Sequence, residues 1–301
     1  MRQQTTIQAI ALGALLGEQA LAAIVSNGLW TDNDWYDDSV MIGVANGVPY
    51  SNDDDTQRRI TAPLSVDGPV DEFYLTLPNV ERIKTVFTEQ MWNDGFQHAN
   101  AIYTYDNFLK AAAKFPAFCN ESALSDYDDE QTCQRELSAM FAHWGQETGK
   151  RDPADGEFWT QALYWVQEIA CNGTDLAACD YKDGGWSADA WPPQNGEQYY
   201  GRGPLQLSWN YNYGPFSTVY ATSTYDAAMY LLENPDLVHE DGSIAMAAAI
   251  WFYMTPQDPK PSMHDIMTGF YEPNSYDAAV GIDATFGATT NVINGGLECG
   301  S

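Results

Sequence analysis

The chain has 301 residues, enough for one large domain or two modest ones, and its 45% apolar content is ordinary for a protein with a buried core. Its 42 acidic and 13 basic side chains give a formal net charge of -29, which would repel a phosphate backbone. No basic patch is visible for an anionic membrane, so the expectation is no nucleic acid and no membrane. A neutral polymer such as a polysaccharide is compatible with this field, although solubility or a salty medium explains the charge most simply.

The first residues read as a secretory leader over 1–24. Arg2 gives a positive start, Ile7 to Leu16 is mostly apolar, and Ala20-Leu21-Ala22 offers small residues for cleavage. A buried amphipathic helix is the alternative. No stretch approaches the roughly 18 to 20 uninterrupted apolar residues that a membrane span needs. The sequons Asn120-Glu121-Ser122 and Asn172-Gly173-Thr174 also fit export. Residues 25–78 are acidic and rich in turn formers, an extension to which no chemistry is assigned.

From about Val80 the apolar spacing becomes helical. Helices are expected over Val80–Trp92, Tyr105–Phe115, Glu136–Thr148, Glu157–Ile169 and Ile244–Met254. Regular strands are scarce, so the expected class is mainly α with long Gly-, Pro- and Trp-rich loops. In an oxidising compartment the close pairs Cys119/Cys133 and Cys171/Cys179 could each close a short loop, leaving Cys299 over. With no CxxC pair or His cluster, metal binding is not expected.

In the helix from Glu136 to Thr148 the apolar stripe runs through Leu137, Met140, Phe141 and Trp144, which brings Glu147 toward the same side. A carboxyl there loses hydration, its pKa rises, and it becomes suited to general acid work. On spacing alone, however, a glutamate at a helix end that simply reaches solvent is the favoured reading. Glu168 ends an aromatic segment just before a Cys-Asn-Gly turn. Inverting glycoside hydrolysis needs two carboxyl groups about 6.5–9.5 Å apart, with room for a water between them. Two glutamates in so acidic a chain are weak evidence alone. The run from Tyr199 to Pro215 is more specific, since Gln206, Ser208 and Asn212 offer hydrogen bonds for hydroxyls, acetamides or water.

That run, YYGRGPLQLSWNYNYGP, resembles the signature of glycoside hydrolase family 19 chitinases almost residue for residue. Tyr103-Thr104-Tyr105-Asp106, Phe141 to Gly149, Trp251 to Pro256 with Lys260 to Asp265, and Asn291 to Gly300 resemble further segments of that family in order, over about residues 80–301. The resemblance implies a mainly α, lysozyme-like two-lobed fold with a substrate cleft, in a catalytic domain over 79–301. It implies a secreted, monomeric endochitinase acting on chitin or chitooligosaccharides by inversion, without cofactor or metal. On it, Glu147 is the general acid, Glu168 the general base, and Ser208 holds the attacking water. Gln206, Tyr211, Asn212 and Asn294 bind sugar, Trp191 stacks on it, and Glu298 supports the acid through a charge network. Departures from the family pattern are Gln146 where plant members have His, Pro193 where they have Cys, and the stop at Ser301, before the expected final helix and the partner of Cys299. The alternatives are a chitin-binding protein without turnover and a peptidoglycan-cleaving lysin.

Overall fold

The computed structural model describes residues 74–171, 177–221, 227–256 and 260–299. The expected leader, nearly all of the extension at 25–78 and the sequon at Asn172 lie outside the described residues.

The architecture is mainly α, as the spacing implies. In chain order the helices are α1 (Pro78–Val86), α2 (Glu89–Gly95), α3 (Tyr105–Ala113), α4 (Asp129–Thr148), α5 (Asn210–Tyr220), α6 (Ala227–Glu233), α7 (Leu237–Glu240), α8 (Gly242–Met254), α9 (Met263–Thr268), α10 (Ser275–Ala279) and α11 (Phe286–Glu298). Two isolated antiparallel bridges pair Gln167 with Arg202 and Arg202 with Leu207.

Two helices organise the core. In α8 every residue but Ser243 and Phe252 is buried, the pattern of a helix surrounded on all sides. It packs against α3, α7 and α9. Gly242 at its start lies so close to the Ile102 carbonyl that a side-chain carbon there would sit 1.9 Å from it. The 20-residue α4 starts at a capping box, in which Asp128 accepts from the Gln131 amide and Gln131 accepts from the Asp128 amide. The buried rings of Phe141 and Trp144 on α4 pack at 4.9 Å from each other and meet Phe87, Phe96 and Phe108. Such edge-to-face contacts add to the stabilisation from burial alone.

Two sequence expectations change. The stretch expected to be one helix at 80–92 is two, because Phe87 is extended and Thr88 begins a new helix by accepting the Met91 amide. The helix expected at Glu157–Ile169 does not form. Only the single turn Phe158–Gln161 is helical, and Leu163 takes a left-handed φ of 62°. The carbonyls that would extend the ladder are engaged elsewhere: Thr160 accepts from His98, Gln161 from Lys150, and Leu163 from Asn100. Glu168 therefore follows an irregular segment and immediately precedes the short helical turn Ile169–Cys171, whose Cys171 amide donates to its carbonyl.

Both expected disulfides are present, Cys119–Cys133 and Cys171–Cys179, and Cys299 is free. The first sits beside a buried Glu136–His264 pair. Glu136 Oε2 accepts from the Cys119 amide at 2.8 Å, and Glu136 Oε1 lies 2.6 Å from His264 Nδ1. Burial alone would push the His264 pKa down, but the adjoining Glu136 carboxylate raises it to about 10. This pair ties α4 to α9 across the core.

Candidate active site

The last turn of α4 carries Glu147, and the residue after it fixes its surroundings. Thr148 is fully buried. Its hydroxyl donates to the Trp144 carbonyl at 2.6 Å and accepts from the Leu163 amide at 2.9 Å. Its carbonyl accepts from the amides of Tyr164 and Trp165. The segment leading to Glu168 is thus tied to the end of the helix that bears Glu147.

Glu147 is partly buried, and its pKa rises from 4.5 to about 7. Burial is the main cause, the nearby Glu298 charge adds to it, and the Arg151 cation opposes both. Glu298 comes from α11, whose backbone breaks helical geometry at Asn294 (φ -150°, ψ 32°). Asn294 Nδ2 donates to Glu298 Oε1 at 3.2 Å, and Gln146 Nε2 donates to the same oxygen at 3.1 Å. Gln146 Oε1 in turn accepts from Arg151 Nη2 at 2.7 Å. The departure at Gln146 therefore has a clear structural effect: its amide passes a hydrogen-bond chain from Arg151 to Glu298. Next to it, His143 is buried, bonded to Thr289 at 2.9 Å and stacked on Phe286. Burial lowers its pKa to about 4, so it adds no positive charge beside the site near neutrality.

The second group forms around the Tyr199–Pro215 run. Glu168 donates its amide to the Gly201 carbonyl at 2.8 Å, and Gly203 donates to Val166 at 2.9 Å. Arg202 and Leu207 exchange backbone bonds across a tight turn. Residues 166–168, 201–203 and 206–208 thereby lie side by side, and Glu168 and Ser208 flank Gly201 from opposite sides. Arg202, 2% exposed, rivets the turn: it pairs with Asp236 at 2.6 Å and donates to the carbonyls of Gln198 and Tyr200 and to the Tyr213 hydroxyl. Gln206 and Trp209 are held at φ 51° and 74°. Left-handed backbone of this kind costs on the order of 1 kcal/mol or more at a non-glycine residue and persists only where surrounding bonds hold it.

Side chains in this group are partly committed. Gln206 Nε2 donates to Gly203, Ser208 Oγ to the Gln206 carbonyl, and Asn212 Nδ2 to the Ser208 carbonyl. Glu168 is half-buried and accepts from the Tyr181 hydroxyl at 3.2 Å. Burial and the Glu168 carboxylate together raise the Tyr181 pKa, so the phenol remains a donor. Trp191 packs its ring on Gly214 of α5, where a side-chain carbon would come within 2.4 Å of it.

The structure thus gathers the singled-out residues into two sets. Glu147, Asn294 and Glu298 meet at the ends of α4 and α11. Glu168, Gln206, Ser208, Tyr211, Asn212 and Trp191 belong to the second. Sequence reading missed Tyr181 and Arg151. Tyr181 lies 13 residues from its partner Glu168, and no periodicity reports such a contact. Among the described residues no group of His, Cys, Asp and Glu side chains could hold a metal ion. No helix among them is long and apolar enough to cross a membrane.

An endochitinase of Brassica napus is 40% identical over 69% of this chain and 58% of its own. An inactive chitinase-like protein of Hevea brasiliensis is also 40% identical, over 69% of this chain and 60% of its own. The match thus spans less than two thirds of these curated relatives. Chitinase C of Streptomyces griseus aligns over 70% of this chain and 80% of its own, at 26% identity and a TM-score of 0.49. The model of glycoside hydrolase family 19, described as chitinase class I, matches residues 83–301, and the chain belongs to that family.

Proposed function

We propose that this chain is a secreted endochitinase that cleaves β-1,4-linked N-acetylglucosamine polymers with inversion. The observation that carries the reading is Glu147, a carboxyl with a pKa of about 7 in a family 19 chain, tied through Thr148 to the segment bearing Glu168. Protonated Glu147 gives its proton to the glycosidic oxygen as that bond breaks. Glu168 takes a proton from a water that attacks the anomeric carbon from the opposite face, and Ser208 holds that water. The product is the α-anomer. Glu147 is left ionised and Glu168 protonated, and exchange with solvent restores both.

Gln206, Tyr211, Asn212 and Asn294 bind sugar hydroxyls and acetamides, and Trp191 offers a ring face. Glu298, steadied by Gln146 and Asn294, keeps negative charge beside the acid and so favours its protonated form. The two disulfides support folding in an oxidising compartment, hence secretion.

The second reading is binding without turnover, favoured by the inactive Hevea relative at the same identity as the active-named one. Hydrolysis of an N-acetylglucosamine hexamer separates the two. The expected result is turnover by the parent that falls by about two to four orders of magnitude in Glu147→Gln and in Glu168→Gln. A folded parent that binds the hexamer without cleaving it supports the second reading instead.

A further inference from the structure

We propose that Trp186 is the outer platform of a row of aromatic rings that carries the sugar chain away from Glu168, binding an N-acetylglucosamine unit by stacking. The inference rests on reading the site as a chitin site, and it assigns a sugar contact to Trp186, a residue given no role so far.

The row begins at Glu168. The Tyr181 hydroxyl donates to that carboxylate at 3.2 Å, and the Tyr181 ring meets Trp209 at 5.3 Å. Trp209 stacks on Tyr211 at 5.7 Å with an interplanar angle of 13°. Tyr211 meets Trp186 at 5.3 Å and 39°. Exposure is greatest at the far end: Trp186 is 79% exposed, the highest among the large apolar side chains of the described residues, against 37% for Trp209. A tryptophan so open to water gains little from folding, so its burial cannot explain its position. Contiguous exposed apolar surface of this kind marks a binding site.

The loop that presents Trp186 is built, not loose. Asp183 accepts from the amide and hydroxyl of Ser187 at 2.8 and 2.6 Å and from the Gly185 amide at 3.1 Å. Ser187 is buried. The buried Asn210 locks the base of the loop, accepting from the Asp183 amide and donating to the carbonyls of Asp183 and Trp191. The tryptophan is therefore held outward by a network that closes on both sides of it. A platform fixed before binding loses little conformational freedom when a ligand arrives.

The chemistry of the occupant follows from charge and shape. Stacked rings accept the flat face of a nucleobase as readily as that of a pyranose, but a net charge of -29 repels a polyanion. A neutral sugar chain continuing from the cleft meets the rings without that penalty. Trp186 thus favours long chains over short ones.

The test is oligomer binding in a Glu147→Gln background, which holds substrate without requiring turnover. Calorimetric titration of the N-acetylglucosamine hexamer is compared for Glu147→Gln alone and combined with Trp186→Ala or Trp186→Tyr. The expected result is hexamer affinity about five- to tenfold weaker with Trp186→Ala and largely kept with Trp186→Tyr. The exposed position predicts an unchanged melting temperature. Equal hexamer affinity with and without the Trp186 ring overturns the inference, as does equal weakening by Ala and Tyr. Hexamer cleavage by the parent is scored separately, so a protein that binds through Trp186 but does not cleave overturns only the enzymatic reading.

Discussion

At the scale of single residues, the acid role proposed for Glu147 sets function against stability. Its folded pKa of about 7 lies above the 4.5 of an ordinary glutamate, so the folded state retains a proton that the unfolded chain has lost. Its contribution to stability is complete below pH 4.5 and disappears as pH rises through 7. Glu147→Gln keeps the shape and removes the titration. We expect the variant to be more stable than the parent at pH 8, by on the order of 2 kcal/mol, and indistinguishable from it at pH 4. Urea unfolding at the two pH values measures the difference. An equal effect at both would mean that the carboxyl is not held out of water. The stripe Leu137, Met140, Phe141, Trp144 made an inward Glu147 conceivable but did not decide it, because a glutamate in the last turn of a helix can also reach solvent. The chain of bonds from Arg151 through Gln146 to Glu298 was not legible, because it joins residues 152 positions apart.

At the scale of elements, the decisive joint is between α4 and the segment expected to be a helix over Glu157–Ile169. Apolar spacing there is helical, and spacing alone cannot see that outside donors claim the carbonyls of Thr160, Gln161 and Leu163. The irregular path is what lets Glu168 pair with Gly201 beside Ser208. Thr148 is the pin, since its hydroxyl serves both Trp144 and Leu163. Thr148→Val keeps the volume and leaves the buried Leu163 amide unpaired. We expect a loss of about 1–3 kcal/mol in denaturant unfolding. Turnover by the folded variant should also fall, as the Glu168 segment loses its anchor. A variant as stable as the parent would show that this joint does not hold the segment. By contrast α8 was readable to within two residues and α4 at its Thr148 end, whereas α4 starts at Asp129, seven residues before the expected Glu136, because its first two turns are set by the capping box at Asp128 and not by the apolar stripe. Thr88, followed by Glu89, was the sequence signal for the split that was missed.

At the scale of the whole molecule, the family segments fall into two groups: the ends of α4 and α11 hold Glu147, Gln146, Asn294 and Glu298, and the Tyr199–Pro215 run holds Gln206, Ser208 and Asn212 and pairs through Gly201 with the separate segment that bears Glu168. Its density of polar groups and rings made that run conspicuous in the sequence, and Arg202 explains why it keeps one shape: a buried guanidinium satisfied by Asp236, Tyr213 and two carbonyls. What periodicity could not supply was the aromatic row from Tyr181 to Trp186, assembled from a loop and the start of α5. The central claim is that the two glutamates work as an inverting pair on β-1,4-linked N-acetylglucosamine. The most direct measurement is time-resolved proton NMR of the anomeric signals during hexamer cleavage. The account predicts that the new reducing ends appear first as the α-anomer and then mutarotate. Initial release of the β-anomer would contradict it, since retention requires a nucleophile where the account places a water.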